Sequence, residues 1–321
     1  MVVKRFRHGL PNGPRRPPPD RHVPVLPGEV LAALRPQPGQ TFVDATLGAG
    51  GHAALLAARL GAEGLLIGLD LDPAALTRAD AALGPLGVPT RLFHLNFAGI
   101  ERALAESARA RVHGILADLG MSSPQVDDHG RGFSFQREGP LDMRMNPGRG
   151  PTAGELLDKT DPVELARLLW EWGDEPHARA LGAAIVAERR AGRLNTTGEL
   201  TRLVRGIANA GDERSRSPQQ GNLGAVARVF QTLRILTNRE FANLERLLTA
   251  APALLHPGGR LAVISFHSGE DRRVKHAFRD GLRTGIYAAI SEASLRAGLA
   301  ERNANPRSRS AKLRWAERAA E

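Results

Sequence analysis

A strand-like run, TFVDAT (41–46), passes directly into the glycine-rich LGAGGH and then into AALLAARL, a stretch of strong helix formers. Gly48, Gly50 and Gly51 permit positive φ and a close ligand approach, and a helix opening near His52 aims free N–H groups at whatever lies before it. Strand, tight turn and helix in that order commit the chain to a βαβ unit. The same rhythm recurs: LLIGLD (65–70), TRLFHL (90–95), VHGILADLG (112–120) and RLAVISF (260–266) are short apolar runs set apart by helical patterns. The expected fold class is α/β, with a parallel sheet covered on both faces.

About 140 residues separate Asp118 from the run at 260–266, far more than the dozen or so that a crossover requires. Something is inserted there. Residues 121–151 read as loop, whereas 153–210 read as amphipathic helices such as DPVELARLLWEW. The spacing predicts a sheet domain over 22–125 and 226–321, with an all-helical subdomain inserted over 126–225. FQTLRIL and REFANLERLLTAAPALL are the helices that lead back to the sheet, with Pro257, Gly258 and Gly259 ending the second and turning it into the strand. Residues 1–21, rich in Pro, Gly and Arg, are expected to form a disordered basic arm.

Composition narrows the chemistry. The chain of 321 residues has no cysteine, which excludes disulfides, thiolate metal sites and thiolate nucleophiles. No apolar run approaches the roughly 18 residues of a membrane span, and the start lacks a secretory pattern, so a cytoplasmic location is expected. Lys and Arg outnumber Asp and Glu by 44 to 34, a net charge of +10. The surplus gathers in the first 21 residues, in Arg272 to Arg279 and in Arg302 to Arg314, a clustering that suits a polyanion such as nucleic acid.

The glycine turn alone is ambiguous, because Gly48-x-Gly50-x-x-Ala53 also satisfies a dinucleotide-binding pattern. Two acids shift the reading toward S-adenosylmethionine. Asp44, four residues before the first glycine, suits the methionine ammonium. Asp70 ends the next strand, where a carboxylate can accept both ribose hydroxyls. Asp118 closes the fourth strand and faces the same crevice, within reach of an adenine amine.

The blocks HVPVL (22–26), DATLGAGGH (44–52), DLGMSSPQVDD (118–128), RGFSF (131–135), PLDMRM (140–145), FQTLRI (230–235), VISFHSGEDR (264–272) and NPRSRSAKLR (305–314) run in the order found in the bacterial 16S rRNA (cytosine N(4))-methyltransferases of the MraW family, which this chain resembles from residue 22 to residue 314. The resemblance implies a Rossmann-like class I S-adenosylmethionine methyltransferase sheet carrying an inserted helical domain. It implies cofactor contacts at Gly50, Gly51, His52, Asp70, Phe97, Asp118 and Gln125, and as substrate a cytosine in the decoding centre, at the P site of 16S rRNA within the small ribosomal subunit. Two departures stand out. Gly269 replaces the leucine usual in HSLEDR, which is expected to loosen the helix starting there. Leu223-Gly-Ala-Val226 replaces the usual HPAT, so no role of that block is carried over.

Methylation at carbon 5 of cytosine needs a thiolate and is excluded, in keeping with the exocyclic amine that the resemblance implies as the target. Carboxylate or hydroxyl acceptors around the amine hydrogens would favour the pyramidal nitrogen that attacks. Ser122 and Ser123, with Asp118 or Asp142, are the candidates, although the two serines could simply cap a turn. Phe133 and Phe135, beside Arg131 and Arg144, suit stacking of an unpaired base or an apolar core. His267, after an apolar strand, is either a group that polarises the target or a structural residue. Arg272, Lys275 and Arg279 share one helical face that could meet phosphates. Arg307 and Arg309, with serines between the arginines, are better placed for RNA unless NPRSRSAKLR is a charged edge strand. No metal is expected. A homodimer is left open, as is the alternative of a non-catalytic RNA-binding ribosome assembly factor with a vestigial cofactor pocket.

Overall fold

The computed structural model describes residues 23–210 and 223–320, so the expected basic arm lies outside the described residues, as does the Ser123 side chain. The elements run α1 (Pro27–Leu34), β1 (Thr41–Asp44), α2 (Gly51–Leu60), β2 (Leu65–Asp70), α3 (Pro73–Leu83), β3 (Thr90–His94), α4 (Ile100–Glu106), β4 (Val112–Asp118) and α5 (Ser123–Asp127). Helices α6 (Ala153–Lys159), α7 (Pro162–Gly173), α8 (Ala178–Arg190), α9 (Thr197–Ala210), α10 (Leu223–Asn238) and α11 (Glu240–Leu254) follow. The chain closes with β5 (Leu255–Ser265), α12 (Ser268–Arg283), β6 (Tyr287–Ile290), α13 (Leu299–Ala304) and β7 (Lys312–Arg318).

The strands form one sheet in the order β3-β2-β1-β4-β5-β7-β6. The first five are mutually parallel, while β7 runs antiparallel to both β5 and β6. This is the Rossmann-like sheet that the resemblance implied. β1 is buried along its whole length, and β2 along all but its last residue, because helices cover both faces. Val43, Ile67, Ile115 and Val263 pack on one side with Leu104, Leu247 and Phe278; Phe42, Leu66, Leu116 and Ile264 pack on the other with Val30, Leu56 and Ala79. Only glycine fits at 114, since a Cβ there would stand 2.2 Å from the Phe42 ring.

Three local expectations are corrected. β5 begins at Leu255, so Pro257, Gly258 and Gly259 do not link helix to strand. They bulge out of the strand, where Val112 faces Leu255 but Gly114 already faces Arg260. NPRSRSAKLR is not an edge strand either: it ends in β7, which β5 and β6 flank. Gly269 does not loosen its helix, because α12 runs unbroken from Ser268 and a Cβ at 269 would lie 2.8 Å from Phe241 Cζ, so the smaller residue makes room for that ring.

The stretch between β4 and β5 folds into helices with a core of their own: Leu157, Leu165, Leu181, Ile185, Leu200 and Val204 are fully buried together. Reciprocal bonds between Thr152 and Glu155 cap α6, and Asp161 caps α7. This core reaches past residue 225, since Val226, Val229, Phe230 and Leu233 of α10 belong to it. No helix among the described residues is long and apolar enough to cross a membrane.

Candidate active site

The strands β1, β2 and β4 each end on an aspartate, and because the strands are parallel and in register, Asp44, Asp70 and Asp118 emerge along one edge of the sheet. There they line a cavity of 340 Å³ whose wall also holds Gly48, Gly51, His52, Phe97, Ser122 and Gln125. The location is the one where open α/β sheets bind ligands, outside the carboxyl ends of the strands. Asp70 holds the glycine turn in place: one carboxylate oxygen accepts the Gly48 N–H at 2.7 Å and the other accepts the Asp72 N–H at 2.8 Å. Gly50 does not line the cavity. It serves behind the wall, where its φ of +83° and its distance from Ala79 (3.3 Å from a built Cβ to Cα) leave no place for a side chain.

Asp44 and Asp70 resist ionisation, chiefly through burial. Burial raises the Asp44 pKa from 3.8 to about 6, with His52 and the Thr46 N–H opposing and Asp118 and Asp70 adding to the rise. Burial likewise raises Asp70. For His52 burial acts downward, but Asp118 and Asp44 outweigh it and leave the imidazole more basic than usual. His52 Nε2 lies 3.5 Å from Asp118 Oδ2. Even so, both His52 ring nitrogens, Asp118 Oδ1 and Ser122 Oγ are buried without a hydrogen-bond partner among the described residues. Unsatisfied polar atoms gathered at a cavity wall are the signature of a site shaped for a polar ligand.

The remaining sequence candidates divide. Gln125 is buried, accepts the Ser122 N–H at 3.1 Å and reaches Asp72 at 3.5 Å, so it fixes the loop after β4. Arg307 stands exposed at the cavity mouth, whereas Arg309 points elsewhere and bonds the Arg302 carbonyl. Arg272 and Lys275 lie on the outer face of α12, away from the cavity wall. Asp142 is not brought to the cavity: both its oxygens pair with Arg144 at 2.7 to 2.8 Å, which also holds its pKa below the usual carboxylate range despite partial burial. Arg131 is consumed by Asp72 at 3.2 Å and by the carbonyls of Arg144 and Met145 at 2.9 Å. Phe133 is buried in the helical core, and Phe135 packs edge-on against Phe230, so the stacking role gives way to the apolar one.

Sequence reasoning passed over a second group on the wall. Arg234 of α10, Glu240 of α11 and Glu270 of α12 all line the cavity, together with Phe266. Arg234 grips Glu240 with two bonds of 2.8 Å, and its Nη2 lies 4.0 Å from Glu270. Asn238, one turn further along α10, accepts the Met145 N–H at 2.7 Å and donates to the Met143 carbonyl at 2.8 Å, holding Met143 at a φ of +59°. The only available signal was that Arg234 and Glu270 fall inside FQTLRI and VISFHSGEDR.

Comparison with known proteins adds an independent line. Residues 20–319 match the MraW methylase family. The chain is 46% identical over 318 residues to the ribosomal RNA small subunit methyltransferase H of Sorangium cellulosum, covering 99% of this chain and 97% of that protein. It is 45% identical over 309 residues to the protein of the same name from Syntrophotalea carbinolica, covering 92% and 96%. Similarity of that extent, in a chain whose strand-end acids already meet at one cavity, makes this protein a member of the MraW methylase family.

Proposed function

We propose that the protein methylates the exocyclic N(4) amine of a cytosine in the decoding centre of 16S rRNA, at the P site of the small ribosomal subunit, using S-adenosylmethionine. The observation that carries this reading is the row of Asp44, Asp70 and Asp118 around a cavity whose polar wall atoms lack partners. Relatives named as small-subunit rRNA methyltransferases support the substrate. When bound, the cofactor supplies an electrophilic methyl group on a sulfonium sulfur. The residues fit it: Asp44 offers a buried carboxylate to the ammonium, Asp70 to the ribose hydroxyls, and Phe97 an aromatic wall for the adenine. Asp118 Oδ1 or Ser122 Oγ remains to accept one amine hydrogen of the target base, which turns the nitrogen lone pair away from the ring. Arg307 at the mouth, with Arg272 and Lys275 on the outer face, supplies charge for phosphates.

Small subunits from a strain lacking the enzyme, incubated with protein and labelled cofactor, are expected to gain one methyl group on a cytosine amine, mapped by mass spectrometry. A label on another atom, or no micromolar cofactor affinity by calorimetry, defeats the proposal; the second result is the one that a vestigial pocket predicts. Ser122→Ala is expected to slow single-turnover methylation about tenfold with unchanged cofactor affinity, the usual scale for one positioned hydrogen-bonding group.

A pH dependence follows from Asp44. Its folded pKa of about 6 exceeds its ordinary 3.8, so at pH 5 the site is mostly protonated and a ligand ammonium must displace that proton. Affinity for S-adenosylhomocysteine is expected to be about tenfold weaker at pH 5 than at pH 7, and flat above. In the ligand-free protein the sign is opposite: the folded state holds the extra proton, so this group lowers stability as pH rises from about 4 to 6. Calorimetry of wild type and Asp44→Asn across pH 5 to 8 checks the first effect, which the variant should lose.

A further inference from the structure

The strand-end acids line the cavity, and so does the charged group from α10, α11 and α12. Burying a guanidinium and two carboxylates is costly unless each is paired. Here the pairing is uneven. Arg234 spends Nε and Nη2 on Glu240, while its Nη1 has no hydrogen-bond partner among the described residues. Glu270 is nearly fully buried, and its Oε2 accepts the Phe266 N–H at 2.8 Å. Its Oε1 lies 3.2 Å from His267 Nε2 and 4.0 Å from Arg234 Nη2. His267 and Arg234 outweigh burial and keep Glu270 ionised. A fixed acceptor and a fixed donor therefore stand side by side at the wall, and Phe266 lines the same cavity over Gly120, where a Cβ would come within 3.3 Å of the ring.

That pattern is selective. Cytosine presents an amine donor next to its N3 and O2 acceptors, the complement of a carboxylate beside a guanidinium; uracil presents a carbonyl next to an N–H, which sets like against like. We propose that Glu270 and Arg234 are the residues that read the target base, Glu270 accepting one hydrogen of the cytosine amine and Arg234 Nη1 donating to its N3 or O2, with Phe266 against the face of the ring. Glu240 and His267 are positioning residues, holding the guanidinium and the carboxylate in place. The inference rests on the function proposed above and adds to it the source of base specificity. An enzyme that must take a base out of its stack reads it by hydrogen bonds to the Watson–Crick edge and by stacking, and a site built to bond a polar group rejects the analogue lacking it.

The test uses small subunits reconstituted with transcribed RNA carrying cytosine or uridine at the target position, and S-adenosylhomocysteine in the enzyme. Wild type is expected to bind the cytosine particle about tenfold more tightly than the uridine particle. Glu270→Gln is expected to bring that ratio below about threefold, with cofactor affinity and melting temperature unchanged. A variant that still discriminates tenfold and methylates at the wild-type rate overturns the inference. Whether wild type labels a cytosine amine is measured on the same particles, so failure of the function and failure of base reading give different results. Should Glu270→Gln not fold, crystals of wild type with S-adenosylhomocysteine and cytidine 5′-monophosphate decide: the pyrimidine amine bonded to Glu270 supports the assignment, and a pyrimidine placed elsewhere or absent overturns it.

Discussion

Asp70→Ala is expected to weaken S-adenosylhomocysteine binding at least about a hundredfold while leaving the melting temperature nearly unchanged. The carboxylate does two jobs. It would accept the ribose hydroxyls, and it ties down the turn through Gly48 and the start of α3 through Asp72. Hydrogen bonds to a charged acceptor contribute about 1.5–3 kcal/mol each, so loss of the ribose contacts together with the loosened turn amounts to about 3 kcal/mol or more, which is two decades of affinity. Stability is spared because burial already penalises this carboxylate, as its raised pKa shows, and its removal relieves that penalty. Calorimetry and thermal denaturation on the same preparation check both halves; affinity within threefold of wild type removes Asp70 from the cofactor site.

The second large effect is on stability. Arg234→Ala is expected to destabilise the fold by about 3–5 kcal/mol, because it strands the carboxylates of Glu240 and Glu270 inside the protein. Burial already raises the Glu240 pKa even with the arginine in place. Without the arginine that rise grows, so the folded variant takes up protons that the unfolded chain releases. Its deficit relative to wild type should therefore be larger at pH 8 than at pH 5.5, and denaturant titrations at the two pH values measure the difference. A deficit that is the same at both, or a total below about 1 kcal/mol, would show that the pair is solvated. Adding Glu240→Leu to the variant should recover part of the loss, since the remaining uncompensated charge is then Glu270 alone.

Much of the sheet half was legible because it obeys local rules. Period and composition mark β1 to β4 directly, and an aspartate at the end of an apolar run is visible without any knowledge of tertiary structure. The α10 to α12 wall is a different kind of object. Arg234, Glu240 and Glu270 sit on three helices, and a charged residue in a helical pattern reads as solvent-facing until the packing shows otherwise. Phe133 and Phe135 misled for the converse reason: beside arginines they looked like a stacking surface, but Arg131 and Arg144 are engaged with Asp72 and Asp142 and the rings complete the helical core. The place of β7 inside the sheet, rather than at its edge, was hidden because its pairing is set by non-local neighbours. Arg314 at its centre bonds Asp271 at 2.7 Å, a partner no pattern within NPRSRSAKLR could suggest. Asp142 failed as a cavity residue at short range, because two residues of spacing turn it back onto Arg144.

The Asn238 clasp gives the molecule a mechanical property. One amide joins the loop that leaves β4 to the helix that brings the chain back, and both Met145 and Arg234, which it fixes relative to each other, belong to the cavity wall. The helical half is thus geared to the cavity at its entry and its exit. Any load that displaces the helices would therefore change the shape of the cavity wall, and by reciprocity a filled cavity would resist that displacement.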